Sequence, residues 1–457
     1  MSEGAKKGFQ RRGKFEDPAR LLAFDALTQI IREGAYANLR LPELLAESTL
    51  DERDRSWVTE LVYGTLRMQG RHDHFLSLLI ERPLESLDSG VLDLLRLGMH
   101  QIFEMRTADH AAVSASVSLA RYLFGESPTS FVNGVLRNAL RRRDEFAELD
   151  LPLHIRFSHP EWIVNAYRAA LKDEDRLISL LEANNAPVHP HLVAWPGKST
   201  VEELLELGGE AIPETSYGVY SARPPFTYPA IQERRAGVQD LGSQIIGEIF
   251  LNTAQGSKHL SWLDMCAGPG GKAAFLYNSL ATDRPGDEFL ANEPSEHRAD
   301  LVSRVVPADL VHVGMGQEFA TSGKQFDRII VDAPCSGLGA LRRRPEARWR
   351  KSPAGVKELV VLQRELLDAA VQALSADGIL AYVTCSPHNA ETRAQVADFL
   401  YRHKEWELID ATAYLPSNIS DFKVMQPDGA IQMWTDLHGS DAMFMALLGR
   451  KNRKVTA

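Results

Sequence analysis

The spacing of apolar residues changes once along this chain, near Val238, and that change restricts the folds open to it. Between Asp17 and Arg143 apolar side chains recur at helical intervals, as in Leu21-Leu22-Ala23-Phe24-Asp25-Ala26-Leu27 and Leu92-Asp93-Leu94-Leu95-Arg96-Leu97-Gly98. That pattern gives each helix one buried face. Asp17-Pro18 and Ser127-Pro128 supply helix starts, while Gly98 and Gly125 interrupt or end segments, so roughly six or seven helices are expected. After Val238 short apolar runs alternate with helical stretches. Strands are expected at 260–265, 288–293, 326–331 and 379–384, and helices at 273–280, 296–305 and 355–374. Alternation of this kind predicts a mostly parallel sheet with helices on both faces. Ligands of such sheets bind beyond the carboxyl ends of the strands.

Residues 144–236 are mixed in pattern and rich in Pro and His, as in His189-Pro190-His191 and Arg223-Pro224-Pro225, and predict a small connecting domain. The expected organisation is a basic tail over 1–16, an all-helical domain over 17–143, the connecting domain over 144–236, an α/β domain over 237–450 and a basic tail over 451–457. With 457 residues, 44% of them hydrophobic, the chain can build more than one core. No apolar run approaches the ~18 residues needed to cross a bilayer, and the N-terminal stretch lacks the apolar segment of a secretory signal, so no membrane partner is expected. Three widely separated cysteines argue against a disulfide framework and predict a reducing, cytoplasmic setting.

Each of these cysteines follows an expected strand. Cys266 opens Cys266-Ala267-Gly268-Pro269-Gly270-Gly271-Lys272, Cys335 lies in Asp332-Ala333-Pro334-Cys335-Ser336-Gly337, and Cys385 lies in Thr384-Cys385-Ser386-Pro387. Proline beside a strand end fixes φ and cannot extend the ladder, which holds a neighbouring thiol in a rigid turn. Two thiols so placed could act as nucleophile and base, or as a redox pair. No Cys-x-x-Cys occurs, and no histidine is spaced with the cysteines as a ligand would be, so no metal is expected. The glycines after Cys266 let the backbone pass close to a ligand, and the helix start behind them suits a carboxylate or phosphate. Glu293 ends the next strand 25 residues after Gly268, a spacing suited to a carboxylate accepting from two ribose hydroxyls. The turn is neither Gly-x-Gly-x-x-Gly nor a P-loop.

The segments 266–272, 332–337 and 384–387, preceded by Gln239-Asp240-Leu241-Gly242-Ser243-Gln244, resemble those of the RNA 5-methylcytosine methyltransferases. Asp54–Arg67, Leu95–Gly98 and Phe131–Arg137 resemble the NusB-like RNA-binding domain of the bacterial ribosomal branch of that family, the RsmB or Fmu type. The resemblance implies an α/β Rossmann-like methyltransferase domain that uses S-adenosylmethionine, preceded by an all-α NusB-like domain and a small α+β connecting domain. It implies that Cys385 attacks C6 of a cytosine, so that C5 can take the methyl group, and that Cys335 assists product release. Asp332 would lie between cofactor and base. Cys266, Ala267, Gly268, Pro269, Gly270, Gly271 and Lys272 would bind the methionine part of the cofactor, and Glu293 its ribose. The target base must be unpaired or flipped out. The implied partner is RNA, from the small ribosomal subunit, and the protein is expected to act as a monomer.

This chain departs from the family pattern at Gly314-Met315-Gly316-Gln317, where an acidic residue near the adenine is usual, and at Asp441-Ala442-Met443-Phe444 and His191–Trp195. The net charge of −10 does not advertise nucleic-acid binding. Local basic clusters nevertheless occur at Lys6–Lys14, at Arg137 with Arg141–Arg143, at Arg342–Arg344 with Arg348, Arg350 and Lys351, and at Arg450–Lys454, and such patches can hold phosphates. Arg342, Arg343, Arg344 and Arg348 are expected to line an RNA path beside Cys335. Two other readings are a non-catalytic RNA-binding factor without cofactor affinity and a DNA cytosine methyltransferase working through the Pro334-Cys335 thiol alone.

Overall fold

Helix caps and strand ladders divide this chain into two units in a computed structural model that describes residues 15–256, 258–419 and 428–453. The first unit takes the chain up to Asn165 together with Arg343–Arg350, and the second takes Ala166–Arg342 and the chain from Lys351 onward.

The first unit is helical. Its main elements are α1 (Pro18–Arg32), α2 (Ala37–Glu47), α3 (Glu52–Leu79), α4 (Ser89–Phe103), α5 (Asp109–Phe124) and α6 (Glu126–Arg141). Three of them, α1, α3 and α4, start on a carboxylate. Asp17 accepts from the Arg20 N–H, Asp51 from the Asp54 N–H, and Asp88 from the N–H groups of Gly90 and Val91, each satisfying donors that a helix N-terminus leaves free. Leu27, Ile30, Leu61, Leu66, Leu95 and Leu136 are wholly buried in one core. Short helices at Arg143–Ala147 and Leu153–Arg156 belong to this unit. The boundary expected at 143 therefore falls inside the compact body, which runs on to Asn165. Phe15, placed in the basic tail by sequence, stacks on Tyr122 with ring centroids 4.9 Å apart. Residues 1–14 of that expected tail and 454–457 of the C-terminal one lie outside the described residues.

The second unit holds two sheets. A small antiparallel sheet of β1 (His191–Ala194), β2 (Gly209–Ala211), β3 (Gly218–Ser221) and β4 (Ala236–Val238) has the order β2-β3-β1-β4. The large sheet contains β5 (Ser261–Asp264), β6 (Glu288–Asn292), β7 (Val311–His312), β8 (Phe326–Asp332), β9 (Leu374–Thr384), β10 (Trp406–Ile409), β11 (Ile431–Gln432) and β12 (Phe444–Arg450). Its path is β10-β12-β9-β8-β5-β6-β7, with β11 paired to β12. The pairs among β5 to β9 are parallel, whereas β12 runs antiparallel to β9, β10 and β11. Sequence pattern located four strands of the parallel block; the remaining strands, including the antiparallel edge, add to it. From β5 the chain winds outward to β6 and β7, then returns to the other side for β8 and β9. That reversal is the switch point at which doubly wound sheets open a crevice. The turns carrying Cys266, Cys335 and Cys385 follow β5, β8 and β9, three adjacent strands.

Candidate active site

Parallel strands end in register, so the residues just past β8 and β9 meet. Asp332 pairs with Val383 across the ladder, and Ala333 N–H donates to the Val383 carbonyl at 2.9 Å. Just beyond that pair, the Cys335 and Cys385 Sγ atoms are 3.3 Å apart, close enough to share a proton. The two sulfurs divide that proton unequally. The hydrogen bond between them, helped by the Lys272 ammonium, draws the Cys385 thiol below its ordinary value against the opposing effect of burial. The same bond, with burial added, pushes Cys335 well above. Of this coupled pair, Cys385 is the sulfur that loses its proton more readily. Cys266 stands apart in character: burial, then the nearby Asp264 charge, raises its thiol far up, which leaves it a poor nucleophile.

Asp332, at the end of β8, takes the Lys272 Nζ at 2.8 Å. Burial alone would favour the neutral amine, but the Asp332 charge outweighs it and Lys272 is held protonated. Lys272 thus directs its side chain to Asp332. Asp264, at the end of β5, is buried with its Oδ1 accepting the Cys266 N–H at 3.3 Å and no hydrogen-bond partner for Oδ2. Burial, reinforced by Asp332, raises it to about 7.

Glycine is required where the first turn meets Glu293. A Cβ on Gly268 would lie 2.2 Å from Glu293 Oε2, and the Gly268 N–H instead donates to that oxygen at 3.2 Å. Glu293 Oε1 accepts from the Ser295 N–H at 2.9 Å and from the Arg298 guanidinium. The helix that follows, Gly271–Asp283, has Gly270 at its N-cap with φ of 111° and no side-chain cap, so its first N–H groups are open to an anion. An S-adenosylmethionine molecule fits this donor set. The uncapped helix start suits its carboxylate, the unpartnered Asp264 oxygen suits its ammonium, and Glu293 Oε2, with one bond accepted, keeps capacity for a ribose hydroxyl. Among the described residues no cluster of three or more His, Cys, Asp or Glu is suited to a metal ion.

A second layer escaped sequence reasoning. Glu391, fully buried, accepts from the Ser336 N–H at 2.7 Å, from the Ser336 and Ser386 hydroxyls at 2.5 and 2.7 Å, and from the Gln363 amide at 3.2 Å. Gln363 also donates to the Pro334 carbonyl, and the Tyr382 hydroxyl reaches Gln363 and the Glu391 carbonyl. Gly339 N–H donates to the Cys385 carbonyl at 2.9 Å, where a Cβ would lie 2.0 Å from the Ala442 carbonyl oxygen. The repeated Cys-Ser pair was the visible signal of this layer.

The structure separates the four arginines expected at an RNA path. Arg342 is half-buried and donates to the Gly439 carbonyl. Arg343 is half-buried in the helical unit, and Arg344 is exposed there, with its guanidinium 5.5 Å from the Tyr36 ring centroid. Arg348 corrects the expectation. It is fully buried in the helical unit and donates to the carbonyls of Arg67 and Ser158 at 3.0 and 3.1 Å, so it has no surface to offer a phosphate.

Similarity to known proteins agrees with this geometry. Residues 249–449 match the model of the 16S rRNA methyltransferase RsmB/F family, and residues 17–141 match that of the NusB family. The Rv1407 protein of Mycobacterium tuberculosis is 40% identical over 95% of this chain and 97% of its own length. Ribosomal RNA small subunit methyltransferase B of Yersinia pestis is 30% identical over 86% of this chain and 92% of its own. Among solved structures, PH0851 superposes with a TM-score of 0.74 at 19% identity, covering 96% of this chain and all of that one. NSun6 from Pyrococcus horikoshii gives 0.54 at 16% identity, covering 64% of this chain and 98% of its own. These two likenesses bear on the fold. The thiol-bearing switch point, the glycine turn before an uncapped helix and the helical unit ahead of them belong together: this chain is a member of the RsmB/F family of S-adenosylmethionine-dependent ribosomal RNA methyltransferases, with a NusB-type domain at its N-terminal end.

Proposed function

We propose that the protein methylates C5 of a cytosine in small-subunit ribosomal RNA through a covalent bond between Cys385 and C6 of the base. The observation that carries this reading is the 3.3 Å separation of the Cys335 and Cys385 sulfurs. Cytosine C5 is too weak a nucleophile to take a methyl group unaided, and addition of a thiolate at C6 makes it one. Bound S-adenosylmethionine supplies the methyl group as an electrophile on a sulfonium. The backbone of Cys266–Lys272 would hold its methionine part and Glu293 its ribose.

Cys385 adds to C6, and after methylation the C5 proton passes to the Cys335 sulfur while the C5–H electron pair re-forms the ring double bond and expels Cys385 as its thiolate. Cys335, beside the bond that must break, assists that release. Asp332, fixed by Lys272, stands within the same strand-end cluster and contacts the base edge. The target base enters unstacked, since attack at C6 and delivery of a methyl group to C5 need access to the ring faces.

Transfer of labelled methyl groups to unmodified small-subunit RNA, followed by bisulfite sequencing, tests the reading. The wild type is expected to protect a cytosine from conversion, and Cys385→Ala to reduce transfer to background. Full turnover by Cys385→Ala would overturn the assignment.

A further inference from the structure

We propose that Glu391 is the positioning residue of the thiol pair: its one buried carboxylate ties the two cysteine turns together and sets the distance at which Cys335 hydrogen-bonds Cys385. The inference deepens the reading above and rests on it for the meaning of any change in turnover. Its structural basis is independent of that reading.

Ser336 and Ser386 each follow a cysteine, and both hydroxyls donate to Glu391 Oε2. The two hydroxyl oxygens are themselves 3.2 Å apart. Glu391 Oε1 accepts the Ser336 backbone N–H at 2.7 Å, which fixes the main chain immediately after Cys335. The carboxylate is fixed in turn by Gln363, whose amide reaches both Oε1 and the Pro334 carbonyl ahead of Cys335. Every bond made by this carboxylate therefore ends on a cysteine turn or on the residue bracing one. No water need enter, because all of these groups satisfy one another. A displacement of either turn changes the 3.3 Å sulfur–sulfur distance and with it the strength of the bond between the thiols.

The electrostatic surroundings agree. Glu391 is among the groups raising the Cys335 thiol. The groups acting on Cys385 are Cys335, Asp332 from β8, Asp441 from the segment before β12, and Lys272 from the helix Gly271–Asp283. Glu391 acts on Cys385 through Cys335, by distance.

The test is the pH profile of Cys385 alkylation by iodoacetamide, read by mass spectrometry on the full-length protein without RNA or methyl donor. Glu391→Ala should shift the profile to higher pH and slow alkylation at pH 7 by about tenfold, the loss expected for a shift of about one pKa unit. Turnover should fall with KM for RNA unchanged. Glu391→Gln keeps an oxygen for the Ser336 N–H and offers an amide to both hydroxyls, so it should restore most of the wild-type profile. Ser386→Ala removes one tie and serves if Glu391→Ala does not fold; it should shift the profile in the same direction by less. A folded Glu391→Ala, or Ser386→Ala, with the wild-type alkylation profile would overturn the proposal. Loss of alkylation control with no methyl transfer by the wild type would instead uphold the clasp and sink the methyltransferase assignment.

Discussion

At the scale of single residues, the fate of a charge depends on what surrounds it rather than on its neighbours in sequence. Arg344 and Arg348 stand four positions apart in one basic segment, yet one is exposed over an aromatic ring and the other is buried on two backbone carbonyls. Phosphate contacts release counterions, so each contributes to the slope of binding against salt. Arg344→Gln is expected to lower that slope for ribosomal RNA by about one. Arg348→Gln should leave the slope alone and cost about 1–3 kcal/mol of stability, because it leaves buried carbonyls without their donor. Filter binding from low to high salt, with thermal melts of both variants, checks the pair. Equal salt slopes for the wild type and Arg344→Gln would remove that residue from the RNA surface. Nothing in the sequence distinguished the two arginines, since burial of a charged residue depends on the partners that tertiary structure brings.

At the scale of elements, the helical unit stores uncharged histidines. His72 on α3 and His100 on α4 are buried with ring centroids 5.4 Å apart, and neither ring has a hydrogen-bond partner among the described residues. Burial, followed by the charges of His100 and nearby arginines, drives His72 well below 6.5, and burial with Arg67 and Arg71 lowers His100 to about 3. The unfolded chain therefore binds protons that the folded helices refuse. Stability is fully present above about pH 6.5 and is lost as pH falls below it, by up to about 1.4 kcal/mol per unit for each histidine. Asp93 and Glu346, raised mainly by burial, act in the opposite sense nearer their own range. Hydrogen exchange of α3 and α4 amides, corrected for intrinsic rate, should show less protection at pH 5 than at pH 7. Replacement of His100 by Gln should flatten that difference. Equal protection at both pH values would show that these imidazoles do not titrate with unfolding. The helices themselves were legible, because Asp17 before Pro18 and the spacing of Leu92, Leu94 and Leu95 encode local geometry. The pairing of two histidines 28 positions apart was not, since it depends on how α3 packs on α4.

At the scale of the whole molecule, the parallel half of the large sheet and its ligand end followed from alternation alone. The meeting of Cys335 and Cys385 followed from their places after adjacent expected strands. The antiparallel strands β10 and β12 and the residues that brace the thiols did not. Glu391 lies in a short turn with no periodicity, and its bonds are set by ladder register between β8 and β9, a property no local pattern carries. The inclusion of Arg343–Arg350 in the helical unit was equally hidden, since the segment lies inside the α/β half of the sequence. The proposed reaction nevertheless depends on the part that was legible, two sulfurs 3.3 Å apart. The most direct test mixes Cys335→Ala with methyl donor and unmodified small-subunit RNA and resolves the products on a denaturing gel. The account predicts a protein–RNA adduct that survives denaturation and disappears when Cys385→Ala is added to the same chain; no adduct, or one that persists in the double variant, would contradict it.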